Sequence, residues 1–477
     1  MNLELNKAEC HLMQVVGKVS EKMGIDAYLV GGYVRDKLLN RPSKDIDILC
    51  VGNGIELAEN VCREFKRCSG VTVFKKFGTA MLKTGDFELE FVGARKESYV
   101  RHSRKPKVEK GSLKDDLLRR DFTINALAVK IEGNGLGEWV DLFGGLEDLK
   151  HGWIRTPVDP VETFSDDPLR MLRAIRFATQ LQFQIREETF LGIQASSERI
   201  KIISTERITA ELQKIMASDQ PSRGFILLDK SHLLPHFLPE ISAMKGAEKK
   251  DGIGHKDNFY HTLEVLDRLA EKSDDIWLRW AALLHDVGKP KTKRFEKDHG
   301  WTFHGHEVVG ARMVPRIFRR LKLPTGKEMK FVEKLVALHL RPISLTKEEA
   351  SDSAVRRLLF DAGDHIEDLL ILCEADITSK NKEKVKRFLE NYKRVRLRIK
   401  EVEERDRIRN WQPPITGDVI METFGIKPSE KVGMIKESIK EAILDGEIPN
   451  DKKAAFELMI EMGKALGLEP VDGVNKS

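Results

Sequence analysis

The spacing of hydrophobic residues changes along the chain and divides it into two parts. Between residues 25 and 135, short apolar runs such as AYLVGG and DIDILCVG alternate with amphipathic stretches such as GIELAENVCREFKR. This alternation predicts strands and helices in a small α/β or α+β domain. From about residue 159 onward, apolar residues recur at helical spacing, as in DPLRMLRAIRFATQL and IWLRWAALLHDVG. The remainder is therefore predicted to be almost wholly helical.

Turn signals refine this picture at three places. The segment VTVFKKFGTAMLKTGDFELEFVGA is predicted to form a pair of strands around a turn at Thr84-Gly85-Asp86. The basic segment 95–116 is predicted to be a loop. Pro413-Pro414 is expected to end a long charged helix and to precede a last helical segment.

Length and composition favour a multidomain globular protein. The chain of 477 residues is too long for one ordinary core, and 41% of its residues are hydrophobic and 33% charged. No apolar run approaches the roughly 18–20 residues of a membrane span, so no membrane partner is expected. The amphipathic N-terminus carries acidic residues and predicts a helix rather than a signal or transit peptide. The five cysteines form no CxxC pair, which favours free thiols and a cytoplasmic location.

The stretch LVGGYVRDKLLNRPSKDIDIL contains candidate metal ligands. Residues two apart in a strand point to the same face, so Asp45 and Asp47 present neighbouring carboxylates. Two like charges at that distance are unfavourable without a cation, and a divalent ion with hard oxygen ligands, usually Mg²⁺, resolves the repulsion. A third carboxylate would fit the same ion. Glu90 is our choice, with Glu88 on the same face of another strand as the alternative.

The same stretch contains candidate phosphate ligands. Gly31 and Gly32 lie between a predicted strand and a helix, where they allow close approach and leave helix N–H groups free for phosphate. Arg35, one turn into that helix, adds a charge-assisted contact. Together with the aspartates, these residues predict metal-assisted handling of a nucleoside triphosphate.

A periodic row of charged residues follows in DPLRMLRAIRF. Asp167, Arg170, Arg173 and Arg176 recur every three residues, so they lie along one helix face. Asp167 and Arg170 carry acceptor and donor groups at a fixed separation, as pairing with a base edge requires.

A second constellation of candidate ligands lies downstream. His285 and Asp286 are adjacent at the end of an apolar helix, with His261 upstream and Asp376 downstream. Imidazole and carboxylate groups without thiolate suit a divalent metal, and imidazoles favour transition ions such as Mn²⁺, Ni²⁺ or Co²⁺. A further set of histidines is a candidate for a second metal or for substrate phosphate: His304, His306 and His339.

Four successive motifs resemble those of the class II tRNA nucleotidyltransferases, the CCA-adding enzymes and bacterial poly(A) polymerases. They are LVGGYVRDKLLNRPSKDIDI, LLRRDFTINALAV, DPLRMLRAIRFA and ISTERITAELQKIM. The resemblance implies an α+β fold with a polymerase-β-like nucleotidyltransferase head, followed by an all-helical neck, an HD domain and a tail. The implied limits are 1–155 for the head, 156–250 for the neck, 251–380 for the HD domain and 381–477 for a tRNA-binding tail.

The resemblance also implies roles for individual residues. Asp45 and Asp47 would bind the catalytic metal, and Asp167 with Arg170 would act as a protein template that selects C and A. The implied nucleotide-binding residues are Gly32, Arg35, Arg120, Asp121, Asn125, Asp167, Arg170, Arg173 and Arg176, with Arg119 as the alternative to Arg120. The implied substrates are tRNA, CTP and ATP.

The set His261, His285, Asp286 and Asp376 resembles the H…HD…D motif of the HD superfamily. That likeness implies metal-dependent hydrolysis of phosphomonoesters or cyclic phosphodiesters, or a retained fold with little turnover. The basic segment 380–400 and the tail are expected to hold tRNA through phosphate contacts.

Several alternative functions share these features. Poly(A) polymerases and CC- or A-adding enzymes have the same head motifs. The chain would also fit an HD phosphohydrolase whose head only binds RNA. A non-catalytic RNA-binding protein is disfavoured by the intact pair Asp45 and Asp47.

Overall fold

The chain forms two compact units, residues 1–237 and 238–477. The computed structural model describes residues 3–65, 68–74, 78–100, 103–250, 253–254, 256–346, 351–378, 381–406, 408–409 and 411–471. The predicted α+β class is confirmed, because strands are concentrated in the first part of the chain and helices follow.

The first unit begins with a seven-stranded sheet in the order β3-β4-β5-β2-β1-β8-β9. The β2–β5 pair is parallel and the other described pairs in this sheet are antiparallel. The elements are α1 (Lys7–Met23), β1 (Asp26–Val30), α2 (Gly31–Leu38), β2 (Asp45–Val51), α3 (Gly54–Glu64), β3 (Cys68–Phe74), β4 (Thr79–Thr84), β5 (Phe87–Gly93), β6 (Arg95–Val100), β7 (Ser103–Lys110), α4 (Leu113–Leu118), β8 (Ala128–Glu132), β9 (Gly135–Val140) and α5 (Gly145–His151).

One face of this sheet is covered by α1 and α3. Leu12 and Val16 of α1, Val61 of α3, and Ile48 and Phe91 of the sheet are buried in one core cluster. The apolar positions of α1 recur every three to four residues, so one stripe of the helix reaches the sheet. This core fixes the strand ends that carry the candidate carboxylates.

Three local predictions for this region need correction. The predicted turn at Thr84-Gly85-Asp86 is confirmed, since β4 and β5 pair around it, but the segment contains three strands rather than two. The additional edge strand β3 carries Val71 and Val73 in alternation with exposed residues. The predicted basic loop contains the β6–β7 hairpin. Cys62 and Cys68 form a disulfide rather than free thiols, since the short connection from α3 to β3 brings their Cα atoms within 5.5 Å.

Helices make up most of the rest of the first unit, and α7 packs against α9. The remaining elements are β10 (Trp153–Ile154), α6 (Pro160–Asp166), α7 (Leu169–Gln180), β11 (Gln184–Ile185), α8 (Glu187–Ser196), α9 (Thr205–Met216), α10 (Pro221–Lys230) and α11 (Leu234–Phe237).

The second unit is mainly helical. As predicted, a long charged helix ends before Pro413-Pro414 and another helix follows them. The elements are α12 (Pro239–Ser242), β12 (Lys249–Lys250), β13 (Ile253–Gly254), α13 (Asn258–Ala270), α14 (Ile276–Leu284), α15 (Lys289–Thr292), β14 (Arg294–Glu296), β15 (Gly300–Thr302), α16 (His306–Arg320), α17 (Lys327–Leu338), α18 (Arg341–Ser344), α19 (Asp352–Ala362), α20 (Ile366–Asp376), α21 (Lys382–Asp406), α22 (Gly417–Phe424), α23 (Glu430–Asp445) and α24 (Lys452–Ala465).

Within the ranges given above, no helix combines the length and apolar character needed to cross a bilayer.

A buried ion pair links α1 to α2 in the first unit. Glu9 lies 2.6 Å from Lys37 Nζ, and its carboxylate also accepts a hydrogen bond from the Asn6 backbone N–H. Burial would raise the pKa of Glu9, but the bonds from Lys37 and Asn6 hold it below its ordinary value. Because α2 carries Arg35, this pair helps to position the candidate phosphate ligand.

Glu9→Gln should therefore lower the free energy of unfolding by about 1–3 kcal/mol at neutral pH, because Lys37 loses its buried partner. A lowered folded-state pKa stabilises the fold above the unfolded-state pKa, and the stabilisation is lost as the pH falls through the folded-state pKa. The difference in the free energy of unfolding between the variant and the wild type should thus narrow as the pH falls below 4.5, the ordinary pKa of glutamate. Thermal unfolding across pH would measure it, with the exposed Glu59→Gln as the matched control. Equal unfolding temperatures of the Glu9→Gln and Glu59→Gln variants at neutral pH would contradict a stabilising role of the Glu9–Lys37 pair.

Candidate functional sites

Four carboxylates meet at neighbouring ends of two strands. The parallel register pairs Asp45 with Glu88 and Asp47 with Glu90. Glu88 forms an ion pair with Lys83, whereas Glu90 lines the same cavities as Asp47. The geometry therefore favours Glu90 over Glu88 as the third carboxylate.

The electrostatics of this cluster fit a divalent cation. Burial raises the pKa of Asp47 to about 6, and the charges of Glu90 and Asp45 act in the same direction although Arg120 and Arg35 oppose it. The carboxylates are thus incompletely compensated by the chain's own cations. Oxygen ligands of this kind suit Mg²⁺.

Gly31 opens α2 directly beside the carboxylates. Its φ is +76°, and a Cβ atom there would lie 2.7 Å from Asp47 Oδ2 and 3.0 Å from Arg120 Nη1. Gly32, which the sequence motif singled out, would place its Cβ 3.6 Å from the nearest side-chain atom. The N-cap residue Val30 makes no side-chain bond to the first turn. Gly31 is therefore the stricter requirement, and the helix N-terminus has no side-chain cap.

A cavity of about 560 Å³ adjoins the carboxylates on one side. All nine residues predicted to bind nucleotide line it, so residues from distant motifs meet in one place. Eight arginines contribute to its wall: Arg35, Arg95, Arg119, Arg120, Arg170, Arg173, Arg176 and Arg207.

A second cavity of about 450 Å³ has the opposite character. It is lined by five carboxylates and one arginine: Asp36, Asp45, Asp47, Glu88, Glu90 and Arg35. Asp47 and Glu90 line both cavities. The candidate metal ligands therefore border an arginine-rich space and an acidic one.

A chain of hydrogen bonds fixes the floor of the arginine-rich cavity. Arg35 Nη1 donates to Asn125 Oδ1 at 2.7 Å, and Asn125 Nδ2 donates to Asp121 Oδ1 at 2.9 Å. Arg173 Nε donates to the other oxygen of Asp121 at 2.7 Å. Burial opposes ionisation of Asp121, but Arg173 and Asn125 lower its pKa to about 2. The Asp121 carboxylate is thus engaged by the chain's own donors.

Asp167 and Arg170, the predicted reading residues, are held at one edge of the cavity, but they do not share a helix face as predicted. Arg170 belongs to α7, whereas Asp167 is the extended residue that ends α6, before the next helix starts. Asp167 Oδ1 accepts from the Leu169 N–H at 3.1 Å, and Asp167 Oδ2 accepts from Arg207 at 3.1 Å. Arg170 Nη2 donates to the Arg119 carbonyl at 2.5 Å. Both side chains line the cavity while their own chain restricts their rotation.

Two residues of α9 that we did not single out from the sequence support α7. Arg207 contacts Asp167, and the buried Glu211 lies 2.9 Å from Arg176 Nε. Their i, i+4 spacing within ERITAEL puts them on one helix face. The sequence therefore indicates that Arg207 and Glu211 lie side by side, but the spacing does not indicate which segment of the protein they contact.

The second unit brings the H…HD…D residues together. His261 Nε2 lies 3.0 Å from Asp376 Oδ1, and His285 Nε2 lies 3.2 Å from Asp286 Oδ2. His306 Nε2 lies 3.2 Å from the other oxygen of Asp286, and His339 lies 3.8 Å from it. Asp286 therefore belongs to two triads of possible ligands, one with His261 and His285 and one with His306 and His339.

The orientation of all four imidazoles is fixed through Nδ1. The partners are Thr378 Oγ1 for His261 and the carbonyls of Ala282, Phe303 and Val336 for His285, His306 and His339, at 2.7–2.9 Å. Bonds of this type set the tautomer and present Nε2 as a ligand atom. His304 is exposed and joins neither triad.

The donor set fits a bound cation. The buried Nε2 of His285 lies 3.2 Å from Asp286 Oδ2 but forms no well-aligned hydrogen bond with any described residue. Burial would lower the pKa of His285, but Asp286 and Asp376 raise it to about 10, so the carboxylates favour a positive charge here. Lys289 Nζ lies 2.5 Å from Asp286 Oδ2 and provides part of that charge. Imidazole with carboxylate suits transition ions better than Mg²⁺.

The basic helix α21 is only partly available to a partner. Arg396 pairs with Glu367, and Arg398 and Arg405 pair with Asp352. Among the side chains of this helix that the structure describes, the exposed cations outside these three ion pairs are Lys386, Arg387, Lys393, Arg394 and Lys400.

Comparison with known families gives three matches along the chain. Residues 27–155 match the poly A polymerase head domain. Residues 182–245 match a segment described as the probable RNA and SrmB-binding site of polymerase A. Residues 258–381 match the HD domain.

Individual proteins are similar over longer stretches. An A-adding tRNA nucleotidyltransferase from Deinococcus radiodurans is 34% identical over 72% of this chain and 78% of its own length. A CCA-adding enzyme from Pediococcus pentosaceus is 29% identical over 93% of this chain and 96% of its own. A solved tRNA nucleotidyltransferase in complex with a primer tRNA and an incoming ATP analogue is 28% identical, with a TM-score of 0.55 over 80% of this chain and 99% of that one.

The two triads that share Asp286 lead to a prediction about metal stoichiometry. His306→Ala or His339→Ala should remove one bound ion per chain and leave the others, because His261, His285, Asp376 and the carboxylates of the head remain. Elemental analysis after dialysis against Mn²⁺ would measure the ratio, and His304→Ala is the matched control. Loss of no ion in the two variants, or equal loss in the control, would contradict the second triad.

Proposed function

Because this chain belongs to the family of tRNA nucleotidyltransferases that join a poly(A)-polymerase-like head to an HD domain, we propose that its two cavities bind the two substrates of nucleotide addition. It transfers nucleotides from CTP and ATP to the 3′ end of tRNA and releases pyrophosphate. The observation that carries the assignment of the cavities is that Asp47 and Glu90 border both of them.

The arginine-rich cavity is the proposed nucleotide site. Its guanidinium groups and the uncapped start of α2 supply donors for the triphosphate, and Arg120 and Arg35 stand beside the carboxylates. The acidic cavity repels phosphate, so it is the proposed place of the terminal ribose, whose hydroxyls donate to carboxylates.

Asp45, Asp47 and Glu90 are the proposed ligands of Mg²⁺. A divalent cation held there would neutralise charge on the triphosphate and lower the pKa of the attacking hydroxyl. The three carboxylates are the proposed place where the 3′ oxygen and the α-phosphate meet, because Asp47 and Glu90 border both cavities. In-line displacement then transfers the nucleotide to the RNA and releases pyrophosphate.

Asp167 and Arg170 are the proposed reading edge for the incoming base. Asp167 retains acceptor capacity beside its bonds to Leu169 and Arg207, and Arg170 retains donors beside its bond to the Arg119 carbonyl. An acceptor and a donor on a fixed edge pair with one orientation of C or A. The hydrogen bonds of Asp167 and Arg170 to their own chain hold these two side chains in place. The base would therefore be selected by the protein and not by a nucleic-acid template.

The second candidate function is addition of A alone. It is favoured by the relative from Deinococcus radiodurans, which is named as an A-adding enzyme. Poly(A) synthesis is the other alternative that the matching head domain leaves open.

Three tRNA substrates separate these activities: one that ends before CCA, one that ends in CC and one that ends in CCA. We expect CTP to extend the first by two residues, ATP to extend the second by one, and neither to extend the third. Gel mobility of the RNA after incubation with each labelled nucleotide measures the products. Addition of A only would favour the second candidate, and long ATP-dependent tails would favour a poly(A) polymerase.

Asp47→Asn should abolish addition while tRNA affinity stays within about twofold, because a carboxylate that binds cation is lost and the tRNA-binding surface is unchanged. Addition rates and filter binding measure the two effects. Glu88→Gln is the matched control on the neighbouring strand, and we expect it to retain most of its activity since Glu88 already pairs with Lys83. A fully active Asp47→Asn enzyme would contradict the proposed catalytic site.

The HD domain is proposed to be a metal-dependent phosphohydrolase that acts on phosphate esters such as cyclic or terminal phosphates of RNA. The supporting observation is the convergence of four Nε2 atoms on two carboxylates. A transition ion such as Mn²⁺, Ni²⁺ or Co²⁺ would supply Lewis-acid activation there. Lys289 pairs with Asp286, and we propose that it also contacts an incoming phosphate.

The double variant His285→Ala, Asp286→Ala should lose phosphohydrolase activity with every metal and keep nucleotide addition, because the two sites use separate sets of residues. Both activities would be measured on the same preparation, with thermal unfolding as the check on structure. Collapse of nucleotide addition in a folded variant would contradict this separation. Absence of hydrolysis in the wild type with Mn²⁺, Ni²⁺ and Co²⁺ would favour a structural role.

The remaining assignments concern the tail and the location. The exposed cations of α21, such as Lys386 and Lys393, are proposed to contact tRNA phosphates without reading sequence.

Domain limits at residues 155, 250 and 380 stay predictions. A cytoplasmic location is proposed from the tRNA substrate alone, since the Cys62–Cys68 disulfide does not favour a reducing compartment.

A further inference from the structure

Phe177 lies where three arginines of the nucleotide cavity converge. Its ring is 4.1 Å from the guanidinium carbon of Arg176, 4.8 Å from that of Arg35 and 5.4 Å from that of Arg173. All three distances fall within the range of about 6 Å in which a cation is attracted to an aromatic face. Phe177 is only 6% exposed and lines the cavity together with the three arginines.

Each of these arginines is also held at its edge by a carboxylate. Arg35 forms a bidentate pair with Asp36 at 2.8–2.9 Å. Arg173 pairs with Asp121 at 2.7 Å and Arg176 with Glu211 at 2.9 Å. The three acids come from α2, the segment after α4, and α9, whereas the aromatic ring is common to all three arginines.

Three guanidinium groups around one ring repel each other. Burial lowers the pKa of Arg176, Glu211 raises it, and the like charges of Arg173 and Arg35 lower it further. The three carboxylates offset this repulsion, and the ring of Phe177 adds an attractive contact that all three cations share. The carboxylates pair with the N–H groups at the edge of each guanidinium group. An aromatic face attracts the flat side of the same cation and leaves the N–H donors free for other partners.

We propose that Phe177 is a positioning residue of the nucleotide cavity, whose aromatic face holds the guanidinium groups of Arg35, Arg173 and Arg176 so that their remaining N–H donors point to an incoming triphosphate. This inference rests on the proposed binding of nucleotide in the arginine-rich cavity. It assigns to the ring a role beyond filling space, because an aliphatic side chain of similar size has no negative face.

The ring itself is fixed by its neighbours. Phe122 packs edge-on against it, with ring centroids 5.9 Å apart and planes at 84°. Phe122 is fully buried and belongs to the motif that also supplies Asp121 and Asn125. The ring is therefore held in one orientation, and the arginines settle around it.

Replacing Phe177 with mono-, di- and trifluorophenylalanine by amber suppression tests this role. Fluorine withdraws electrons from the ring face but is hardly larger than hydrogen, so packing against Phe122 changes little. The same series at Phe164 is the matched control, since Phe164 is fully buried and no described residue places a cation over its ring.

We expect KM for CTP and ATP to rise with each fluorine at position 177. The total rise should be about tenfold, equivalent to about 1.4 kcal/mol, the scale of one desolvated cation–π contact. The kcat should change by less than about twofold, because the reacting atoms lie at the carboxylates. Nucleotide affinity by calorimetry should follow KM, and the Phe164 series should change neither quantity.

The outcomes separate this inference from the function on which it rests. If the wild type binds and adds nucleotides but KM is flat across the Phe177 series, the role of the ring is wrong and the function stands. A rise of KM at both positions would also overturn it, since fluorination would then act through packing. If the wild type binds neither CTP nor ATP, the proposed function and the inference both fall.

Discussion

Pairing of each buried cation with a carboxylate of the same chain is the interaction on which the head depends. Eight arginines line one cavity, and without partners they would repel each other strongly. Asp36, Asp121 and Glu211 hold three of them and Asp116 holds two more, Arg119 and Arg120. The donors that remain are oriented before any ligand arrives, so the proposed binding of a triphosphate would cost little reorganisation. The HD site follows the reverse arrangement, with two carboxylates surrounded by imidazoles and one lysine.

Much of this could be predicted from the sequence because the informative residues are close together within motifs. The alternation of Asp45 and Asp47 in a strand, and the three-residue spacing of Arg170, Arg173 and Arg176 in a helix, indicate which side chains are neighbours on a face. These local relations do not depend on the rest of the fold, and the family resemblance added the order of the motifs. The α+β class could be predicted for the same reason. Hydrophobic residues recur every two positions in a strand and about every 3.6 positions in a helix, and the two patterns differ clearly in long segments.

Contacts between distant segments could not be predicted. Glu88 and Glu90 lie on one strand face, and only the pairing with β2 and the ion pair from Lys83 to Glu88 distinguish them. Phe177 follows an arginine in a helical pattern and would pass for an ordinary core residue. Its three cation contacts involve α2 as well as its own helix. The bridge between Cys62 and Cys68 likewise depends on how close the end of α3 lies to the start of β3, which no cysteine spacing signals.

The parallel pairing of β2 with β5 has a consequence for synthesis of the protein. Glu90 is made 43 residues after Asp47, although the two are direct neighbours across the sheet. A chain emerging from the ribosome therefore exposes the two aspartates well before it can complete the carboxylate cluster. Asn125 and Arg173 follow later still, and Arg35 and Asp121 depend on them for their bonds. Contacts of such sequence separation form slowly, so the arginine-rich cavity is complete only after the helix that follows the sheet has been translated.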